Sequence, residues 1–369
     1  CGTTLVEAKL LGRNSMGLDI NPVAKLITQT KVTPIKPSRL QSARRRFLTN
    51  YQNAKTPRLK HHKRIDYWFD KKTINELDKI YVSIQKITDP TTRRFFLCAF
   101  SHILKNCSRW LMKSIKPTID KKKNLPNPLT TFLFHLDVMI KKNEGFYATL
   151  NDKNHFSVKT KMYRRDSTKK MPVPTESVDL IVTSPPYVTS YEYADLHQLS
   201  LLWFGDDPKN FKRWKNYTHE YDSFRKTFIG TSIKKKSQHN PGLTCKSPLA
   251  NHIVSRVQKR DPSLAVDVAN YYIDMEKVFA EMHRILKKNG KAAIIIGNTK
   301  LQDVDIQNAL VAAEQMLMLG FKKVRFIKRK LSNKMIAPWR DKGNGKFTGL
   351  DNPMKRRVYA FEYLIIMQK

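Results

Sequence analysis

Residues 178–187 read VDLIVTSPPY, a short apolar β-branched run that two prolines bring to an end. The apolar part, Leu180 to Val182, predicts a buried strand of a parallel sheet. Because proline cannot donate to a strand ladder, the strand is expected to end before Pro185. In an open α/β sheet, ligands bind just past the carboxyl ends of the strands. The stretch predicts a base-binding site at Ser184 and Tyr187, or a plain strand terminator with Tyr187 in the core.

The first residues form a second pattern. Residues 1–4, CGTT, open a predicted helix over 5–11, and residues 16–20 predict a strand that ends in an acid, Asp19. A glycine turn that opens a helix, with an acidic residue about 20 positions later, is how doubly wound sheets bind nucleotides. Gly2 and Asp19 are 17 positions apart. The alternative for Asp19 is an Asx turn before Pro22.

Together these motifs resemble the S-adenosylmethionine-dependent DNA amino-methyltransferases, which modify cytosine N4 or adenine N6. Members carry Phe-x-Gly-x-Gly-Thr-Thr, an acid after the next strand, and (Asp/Asn/Ser)-Pro-Pro-(Tyr/Phe/Trp). Residues 1–4 match the end of the first motif, residues 19–22 the second and residues 184–187 the third. An acid that contacts the cofactor's adenine in the family corresponds to Asp166. The resemblance covers 1–35 and 156–369.

The resemblance implies S-adenosyl-L-methionine as cofactor and a Rossmann-like α/β sheet with an inserted, mostly helical domain. The implied cofactor-binding residues are Gly2, Thr3, Thr4, Asp19, Asn21, Pro22, Asp166 and Ser167. The implied catalytic residues are Ser184, Pro185, Pro186 and Tyr187. The Phe-x-Gly that precedes the first motif in the family is missing, so the chain resembles an N-terminally truncated member. Such a chain is expected to bind the cofactor poorly.

The chemistry that the resemblance implies begins from the weak nucleophilicity of a base amine, whose lone pair is delocalised into the ring. The Ser184 hydroxyl and the Pro185 carbonyl would accept its hydrogens, and Tyr187 would stack on the base after it is flipped from the duplex. Positioning and electrostatics then favour a direct displacement. Cytosine C5 methylation uses a Pro-Cys nucleophile in its own family, and no cysteine here follows a proline. Serine in the first position favours cytosine N4.

The charge of the chain favours a polyanionic partner. Lys and Arg number 69 against 31 Asp and Glu, a formal net charge of +38. Residues 31–165 hold 31 Lys and Arg and 9 Asp and Glu, and residues 31–64 hold eleven and none. The predicted nucleic-acid-binding residues are Arg44, Arg45, Arg46, Lys60, Lys63 and Arg64. The alternative is a solvated, lysine-rich face.

The middle of the chain predicts the insert. Apolar residues at helical spacing predict helices over 73–88, 92–106 and 128–141, whose aromatic residues are expected in the core. The predicted domains are 1–35 and 156–369 for the catalytic part and 36–155 for a basic helical insert that contacts DNA. His61, His62 and His102 are expected to be surface or internally satisfied histidines.

The last part predicts the remaining sheet. The sequence predicts a strand over 157–166, a helix from Tyr191 to Gly205 and an irregular polar stretch over 206–262 that includes Lys234–Lys236. A helix over 264–288, a buried strand over 292–296 and a helix over 306–319 ended by Gly320 follow. Strands near 322–328 and 357–367 are expected to form a terminal antiparallel pair.

The composition also indicates the cellular environment of the protein. Four cysteines without metal-type spacing favour a reduced, cytoplasmic protein with no metal site, and no apolar run is long enough for a membrane span. The favoured function is site-specific methylation of double-stranded DNA, with a cognate restriction endonuclease as a candidate partner. The alternatives are methylation of an RNA base amine and DNA binding without catalysis.

Overall fold

The computed structural model describes residues 1–55, 57, 59–114, 116–188, 193–205, 217–231, 245–331, 339–342, 348–357 and 361–369. The described helices are α1 (Thr3–Leu10), α2 (Pro22–Val32), α3 (Pro37–Gln52), α4 (Arg64–Trp68), α5 (Lys71–Gln85), α6 (Pro90–Cys107), α7 (Pro128–Asp152), α8 (Tyr193–Leu196), α9 (Gln198–Phe204), α10 (Tyr217–Arg225), α11 (Pro248–Gln258), α12 (Pro262–Ile285) and α13 (Asn308–Met318). The described strands are β1 (Ser15–Asp19), β2 (Thr160–Arg164), β3 (Val178–Thr183), β4 (Leu286–Ile296), β5 (Thr299–Leu301), β6 (Val304–Ile306), β7 (Lys322–Lys330), β8 (Trp339–Asp341), β9 (Lys355–Arg357) and β10 (Phe361–Gln368).

These elements confirm the predicted α/β class. They form two compact units, the first made of 1–165 and 193–224 and the second of 166–192 and 225–369. The domain boundaries at 35/36 and 155/156 were predicted from the positions of the motifs along the chain, and they stay a prediction. No helix within the described ranges is long and apolar enough to cross a membrane.

The first unit contains the predicted glycine turn, helix and strand. β1 pairs in parallel with β2, with Ser15 opposite Thr160 and Asp19 opposite Arg164. α2 begins directly after β1 because the Asn21 side chain accepts a hydrogen bond from the backbone N–H of Val23 at 2.9 Å and caps the helix. The strand therefore ends where a helix begins, as nucleotide-binding sheets require.

Five helices, α3 to α7, make up residues 36–155, and α5, α6 and α7 confirm the three predicted helices. Phe96, Phe100 and Phe132 are fully buried, and the ring centroids of Phe47 and Phe132 lie 5.0 Å apart. The aromatic residues thus form a core, as predicted. α7 extends well past the predicted end at residue 141, because its buried face continues to Leu150.

Polar side chains fix the ends and the interior of this helical part. The Asp70, Asp89 and Asn127 side chains cap α5, α6 and α7 by accepting a backbone N–H three residues later. His61 Nε2 lies 2.8 Å from both carboxylate oxygens of Asp78, and both side chains are nearly buried. His61 is therefore paired internally through Nε2, as predicted, whereas its buried Nδ1 has no hydrogen-bond partner among the described residues.

The second unit contains a four-stranded sheet in the order β3-β4-β10-β7. β3 runs parallel to β4, whereas β10 is antiparallel to both β4 and β7. The antiparallel pair of β7 and β10 confirms the predicted terminal antiparallel pair of strands. Helices α11, α12 and α13 contribute most of the core of this unit, together with the buried residues of β4.

Two predictions for this sheet are wrong. Leu180 and Val182 are 56% and 40% exposed instead of buried. In the described part of the chain, β3 is an edge strand that pairs with β4 on one side only. The helix predicted over 264–288 ends at Ile285, and β4 starts at Leu286, because the backbone of Asn289 and Gly290 pairs with that of Lys369.

The prediction of an irregular stretch over 206–262 is also wrong, because α10 and α11 lie within it. α11 begins at a Ser247 cap and buries Ala250, Ile253 and Val257 at helical spacing. The helix predicted up to Gly205 is two short helices, α8 and α9, and it ends at that glycine with φ of 73°. Tyr191, Glu192, Lys234–Lys236 and residues 358–360 lie outside the described residues.

We predict that Asp89→Ala destabilises the first unit by about 1 kcal/mol at neutral pH, because it removes the cap of α6. Burial acts to raise the pKa of Asp89, but hydrogen bonds from Thr92 and the charge of Arg39 hold it below the ordinary value. The cap therefore stabilises fully above the ordinary carboxyl pKa and is lost as pH falls through the lowered one. Urea unfolding at pH 7 and at pH 3 measures both effects.

The control for this prediction is Asp152→Ala, at an exposed position at the end of α7. A carboxylate at a helix carboxyl end contributes no favourable dipole interaction, so this change should cost nothing. An equal loss of stability in the Asp89 variant at both pH values would contradict the capping role.

Candidate functional site

The predicted ribose acid, Asp19, is the last residue of β1. Its Oδ1 accepts the backbone N–H of Asn21 at 2.8 Å, so the Asx turn considered as an alternative is present. Burial raises the pKa of Asp19, and the hydrogen bond from Asn21 opposes that shift. A carboxylate has two oxygens, so the turn leaves Oδ2 able to accept from a diol.

The predicted glycine turn precedes α1. Gly2 has φ of 79°, in the left-handed region that side chains rarely adopt. A Cβ at Gly2 would stand 2.6 Å from Thr28 Cγ2, so α2 also excludes a larger residue. Thr28 Oγ1 is buried and has no hydrogen-bond partner within the described residues. Thr3 and Thr4 are exposed in the first turn of α1, where backbone N–H groups are free for an anion.

Asn21 has a second hydrogen-bond partner, which was not predicted from the sequence. Its Nδ2 lies 2.8 Å from Nδ1 of His197, the residue between α8 and α9. Burial lowers the pKa of His197 to about 4, so the ring is neutral at pH 7 and accepts this hydrogen bond. The bond fixes the Asn21 amide, whose oxygen caps α2 beside Asp19.

In the second unit, the Ser-Pro-Pro-Tyr motif follows β3 directly. Ser184 is exposed, Pro185 is buried, and Pro186 and Tyr187 are half-buried. The Tyr271 hydroxyl donates to the Pro186 carbonyl at 2.9 Å. In the described part of the chain, no hydrogen bond engages the Ser184 hydroxyl or the Pro185 carbonyl. These two groups are therefore available as acceptors.

Tyr187 is held between two glycines. A Cβ at Gly297, just after β4, would stand 3.3 Å from Cε2 of the Tyr187 ring. A Cβ at Gly230 would stand 3.1 Å from the Tyr187 carbonyl oxygen, and Gly230 has φ of 77°. The ring and the backbone of Tyr187 are thus both in close contact with main chain. The half-buried ring also packs against the hydrophobic core of the second unit, so the strand-terminator alternative accounts for its position as well as the base-binding prediction does.

Asp166 and Ser167 follow β2 within three residues. Asp166 Oδ1 accepts from the backbone N–H of Thr168 at 2.9 Å and from its hydroxyl at 2.7 Å. These two residues and the Ser-Pro-Pro-Tyr motif belong to the second unit, whereas Gly2, Asp19 and Asn21 belong to the first. Each group is well built locally, and their combination into one site stays a prediction.

The basic residues predicted to bind nucleic acid differ in their surroundings. Arg44 forms a two-point ion pair with Asp137 of α7, with distances of 2.6 and 2.9 Å. Arg45 and Arg46 are exposed on α3, and Lys60, Lys63 and Arg64 are exposed further along the chain. The charge of Arg44 is therefore used within the protein, which makes its neighbours Arg45 and Arg46 on α3 the better candidates.

Four residues of the site were not predicted from the sequence: Tyr271, Gly297, Gly230 and His197. Gly297 carried a signal, because a glycine directly after a buried strand marks close approach of another group. Nothing local marked Tyr271 or His197, whose partners lie 85 and 176 positions away along the chain. No group of three or more metal-ligating side chains is present among the described residues, and all four cysteines are free thiols.

Comparison with known proteins gives two curated relatives. The Type II methyltransferase M.MvaI of Kocuria varians is 26% identical over 357 residues, which cover 91% of this chain and 76% of the relative. The Type II methyltransferase M.BsoBI of Geobacillus stearothermophilus is 22% identical over 376 residues, which cover 88% and 72%. No family model matches the chain.

Among solved structures, the chain matches TTHA0409 of Thermus thermophilus, described as a candidate DNA modification methylase and complexed with S-adenosyl-L-methionine. The match has 15% identity and a TM-score of 0.25, and it covers 55% of this chain and 53% of that structure. The chain thus spans about half the length of that structure. The two curated relatives confirm the resemblance inferred from the motifs.

We predict that the stability of the first unit falls as pH drops from about 6.5 towards 4, in part through His197. Its pKa is lowered to about 4 in the folded chain, so the unfolded chain binds the proton first over this range. His197→Gln, which keeps an acceptor for Asn21, should flatten the dependence of the unfolding midpoint on pH. His252→Gln, at an exposed position of α11, is the control. A His197 variant whose pH profile superimposed on the parent's would disprove this role.

Proposed function

Since the chain is related to the Type II DNA methyltransferases over 91% of its length, we propose that it methylates an exocyclic base amine in a specific site of duplex DNA. The methyl donor is S-adenosyl-L-methionine, and cytosine N4 is favoured over adenine N6. The observation that carries the proposal is the Ser184–Tyr187 turn, with two available acceptors beside a ring whose position is fixed.

The proposed chemistry requires the base amine to present its lone pair. The Ser184 hydroxyl and the Pro185 carbonyl accept the two amine hydrogens, so that nitrogen becomes tetrahedral and its lone pair leaves the ring. Tyr187 stacks on the flipped base, at a cost of a few kcal/mol for extrusion from the duplex. The amine nitrogen would bond to the methyl carbon as the bond from that carbon to the sulfonium breaks, and the methylated amine would then lose a proton to solvent. No covalent bond forms between the protein and the base.

The residues of the first unit fit a nucleoside with a carboxylate tail. The free N–H groups at the start of α1 suit the carboxylate, and Asp19 Oδ2 suits the ribose hydroxyls. Asp166 and Ser167 are the residues that we assign to the adenine. S-adenosyl-L-methionine, when bound, supplies the methyl group on a positively charged sulfonium.

The preference for cytosine N4 over adenine N6 rests on one residue of the motif. Serine is the first residue of the motif, which by family tendency favours cytosine N4, and both bases offer an amine with two hydrogens. A cognate restriction endonuclease is a candidate partner, because the curated relatives are Type II methyltransferases. A DNA-modifying enzyme of this kind acts where the chromosome lies, so we place the protein in the cytoplasm.

The basic insert is proposed to contact DNA phosphates. Arg45 and Arg46 lie exposed on α3, and neither forms an ion pair within the described residues, unlike Arg39 and Arg44. Phosphate neutralisation by such residues supplies most non-specific affinity for nucleic acid. The aromatic core of α3, α6 and α7 holds this surface in place from beneath.

We predict that Ser184→Ala and Tyr187→Ala abolish methyl transfer to duplex DNA while leaving DNA affinity nearly unchanged, because they alter groups that act on the flipped base. Asp19→Ala should instead weaken binding of S-adenosyl-L-methionine. Tritium transfer, gel shift and calorimetry measure the three quantities. Full turnover of Ser184→Ala would disprove its acceptor role. Transfer to structured RNA but not to duplex DNA by the parent would disprove the substrate.

A matched pair of tyrosines tests the geometry of the turn. Tyr271→Phe removes the hydrogen bond to the Pro186 carbonyl, whereas Tyr272→Phe removes a 3.4 Å hydrogen bond to Asn308. Both residues are buried on α12, and each change should cost about 1 kcal/mol of stability. We predict that turnover falls at least tenfold with Tyr271→Phe and stays near the parent value with Tyr272→Phe. Equal turnover in the two variants would show that the Tyr271 hydroxyl has no role in the reaction.

For the insert, we predict that Arg45→Gln/Arg46→Gln weakens duplex binding alike for all sequences and lowers the salt slope by about 0.9 for each lost contact. Arg44→Gln is the matched control on the same helix. It should leave the slope near the parent value, because Arg44 is paired with Asp137. Gel shifts over a series of salt concentrations measure the slope. A salt slope in the double variant equal to that of the parent would mean that these arginines only form a solvent-exposed face of the helix.

A further inference from the structure

β7 is the most strongly charged strand that the structure describes. Its nine residues, Lys322 to Lys330, include six Lys and Arg and no acid. All but one of them are exposed, the exception being Val324. β7 is an edge strand, since in the described sheet it pairs with β10 on one side only. An edge strand of this composition displays a row of cations to solvent.

Little of this charge is neutralised within the protein. Arg329 pairs with Glu362 of β10, and it is the one β7 cation with an ion-pair partner in the described part of the chain. The Lys328 ammonium instead lies 4.2 Å from the centre of the Phe361 ring. Five cations on one strand therefore have no acidic partner among the described residues, and a polyanion would stabilise them.

The spacing along the strand suits a polyanion with a regular repeat. Lys328 and Lys330 follow Val324 and Phe326 at alternate positions, so these four side chains share a face. Lys322 begins the strand, beyond an irregularity in the pairing with β10. Alternate residues of a strand lie about 6.7 Å apart. Phosphates along one strand of nucleic acid follow one another at a comparable distance, so the neighbouring pair Lys328 and Lys330 on this face matches two successive phosphates.

Exposed apolar groups accompany the lysines. Phe326, Ile327 and Phe361 are 40%, 37% and 41% exposed. Lysines alone would also be explained as protection of an edge strand against pairing with another chain. Exposed aromatic residues work against such protection, whereas they suit contact with the sugars and bases of nucleic acid.

We propose that the β7 edge is a second DNA-binding surface, which holds the phosphate backbone of the duplex. It lies in the same compact unit as the Ser-Pro-Pro-Tyr turn and is separate in sequence from the basic residues of 31–64. The inference rests on duplex DNA as the proposed substrate, and it adds a contact surface that does not depend on the insert.

The test is a triple variant, Lys322→Gln/Lys328→Gln/Lys330→Gln, on the full chain with a mixed-sequence duplex about two helical turns long. The control triple, Lys259→Gln/Lys277→Gln/Lys288→Gln, removes the same charge from exposed positions elsewhere in the same unit. We expect the β7 variant to lower the salt slope by about 0.9 per lost contact, a total of roughly 2 to 3, and the control to stay near the parent. Circular dichroism and thermal unfolding verify that both triples fold.

A parent salt slope in the folded β7 variant would overturn the inference. Increased self-association of that variant in sedimentation, with unchanged DNA affinity, would show that the lysines protect the sheet edge instead. Equal losses in the two triples would also overturn it, since they would reflect net charge alone. Binding requires no turnover. Absence of methyl transfer by the parent would therefore contradict the proposed function without affecting this result.

Discussion

The arrangement at the end of β3 depends on one hydrogen bond, from the Tyr271 hydroxyl to the Pro186 carbonyl. A Pro-Pro turn lacks two backbone N–H groups, so it cannot be held by its own donors in the usual way. A buried tyrosine on α12 supplies the missing donor from outside, and its side chain is only 2% exposed. The bond fixes the peptide that leads into Tyr187.

The glycines complete what this hydrogen bond begins. Gly297 leaves room for the Tyr187 ring at the end of β4, and Gly230 leaves room for the Tyr187 backbone. A flat ring whose position is set from its backbone and from its edge can present a face to a second ring without losing rotamer entropy. The same contacts explain why three sequence-distant segments are needed to build a turn that looks local in the sequence.

The sequence predicted best where the causes are local. Gly2 lies in the turn that opens α1 and Asp19 ends β1, as predicted from neighbouring residues. The cap of α2 by Asn21 was not predicted. β3 was predicted to be buried because its apolar, β-branched residues are typical of buried strands. Whether a strand is buried depends, however, on neighbouring elements that are distant in sequence. α11 was missed because a stretch of polar residues surrounds its three buried residues.

The three consecutive arginines on α3 show why charge counts alone misplace a binding surface. Successive helix residues point about 100° apart, so Arg44 faces Asp137 while Arg45 and Arg46 face solvent. A packed helix can therefore neutralise one cation of a cluster through a neighbouring helix. On an edge strand such as β7, side chains alternate between two faces, and a single neighbouring strand provides the partners. Only Glu362 opposes a β7 cation across the described sheet. A run of basic residues therefore keeps more of its charge available on this edge strand than on the packed helix α3.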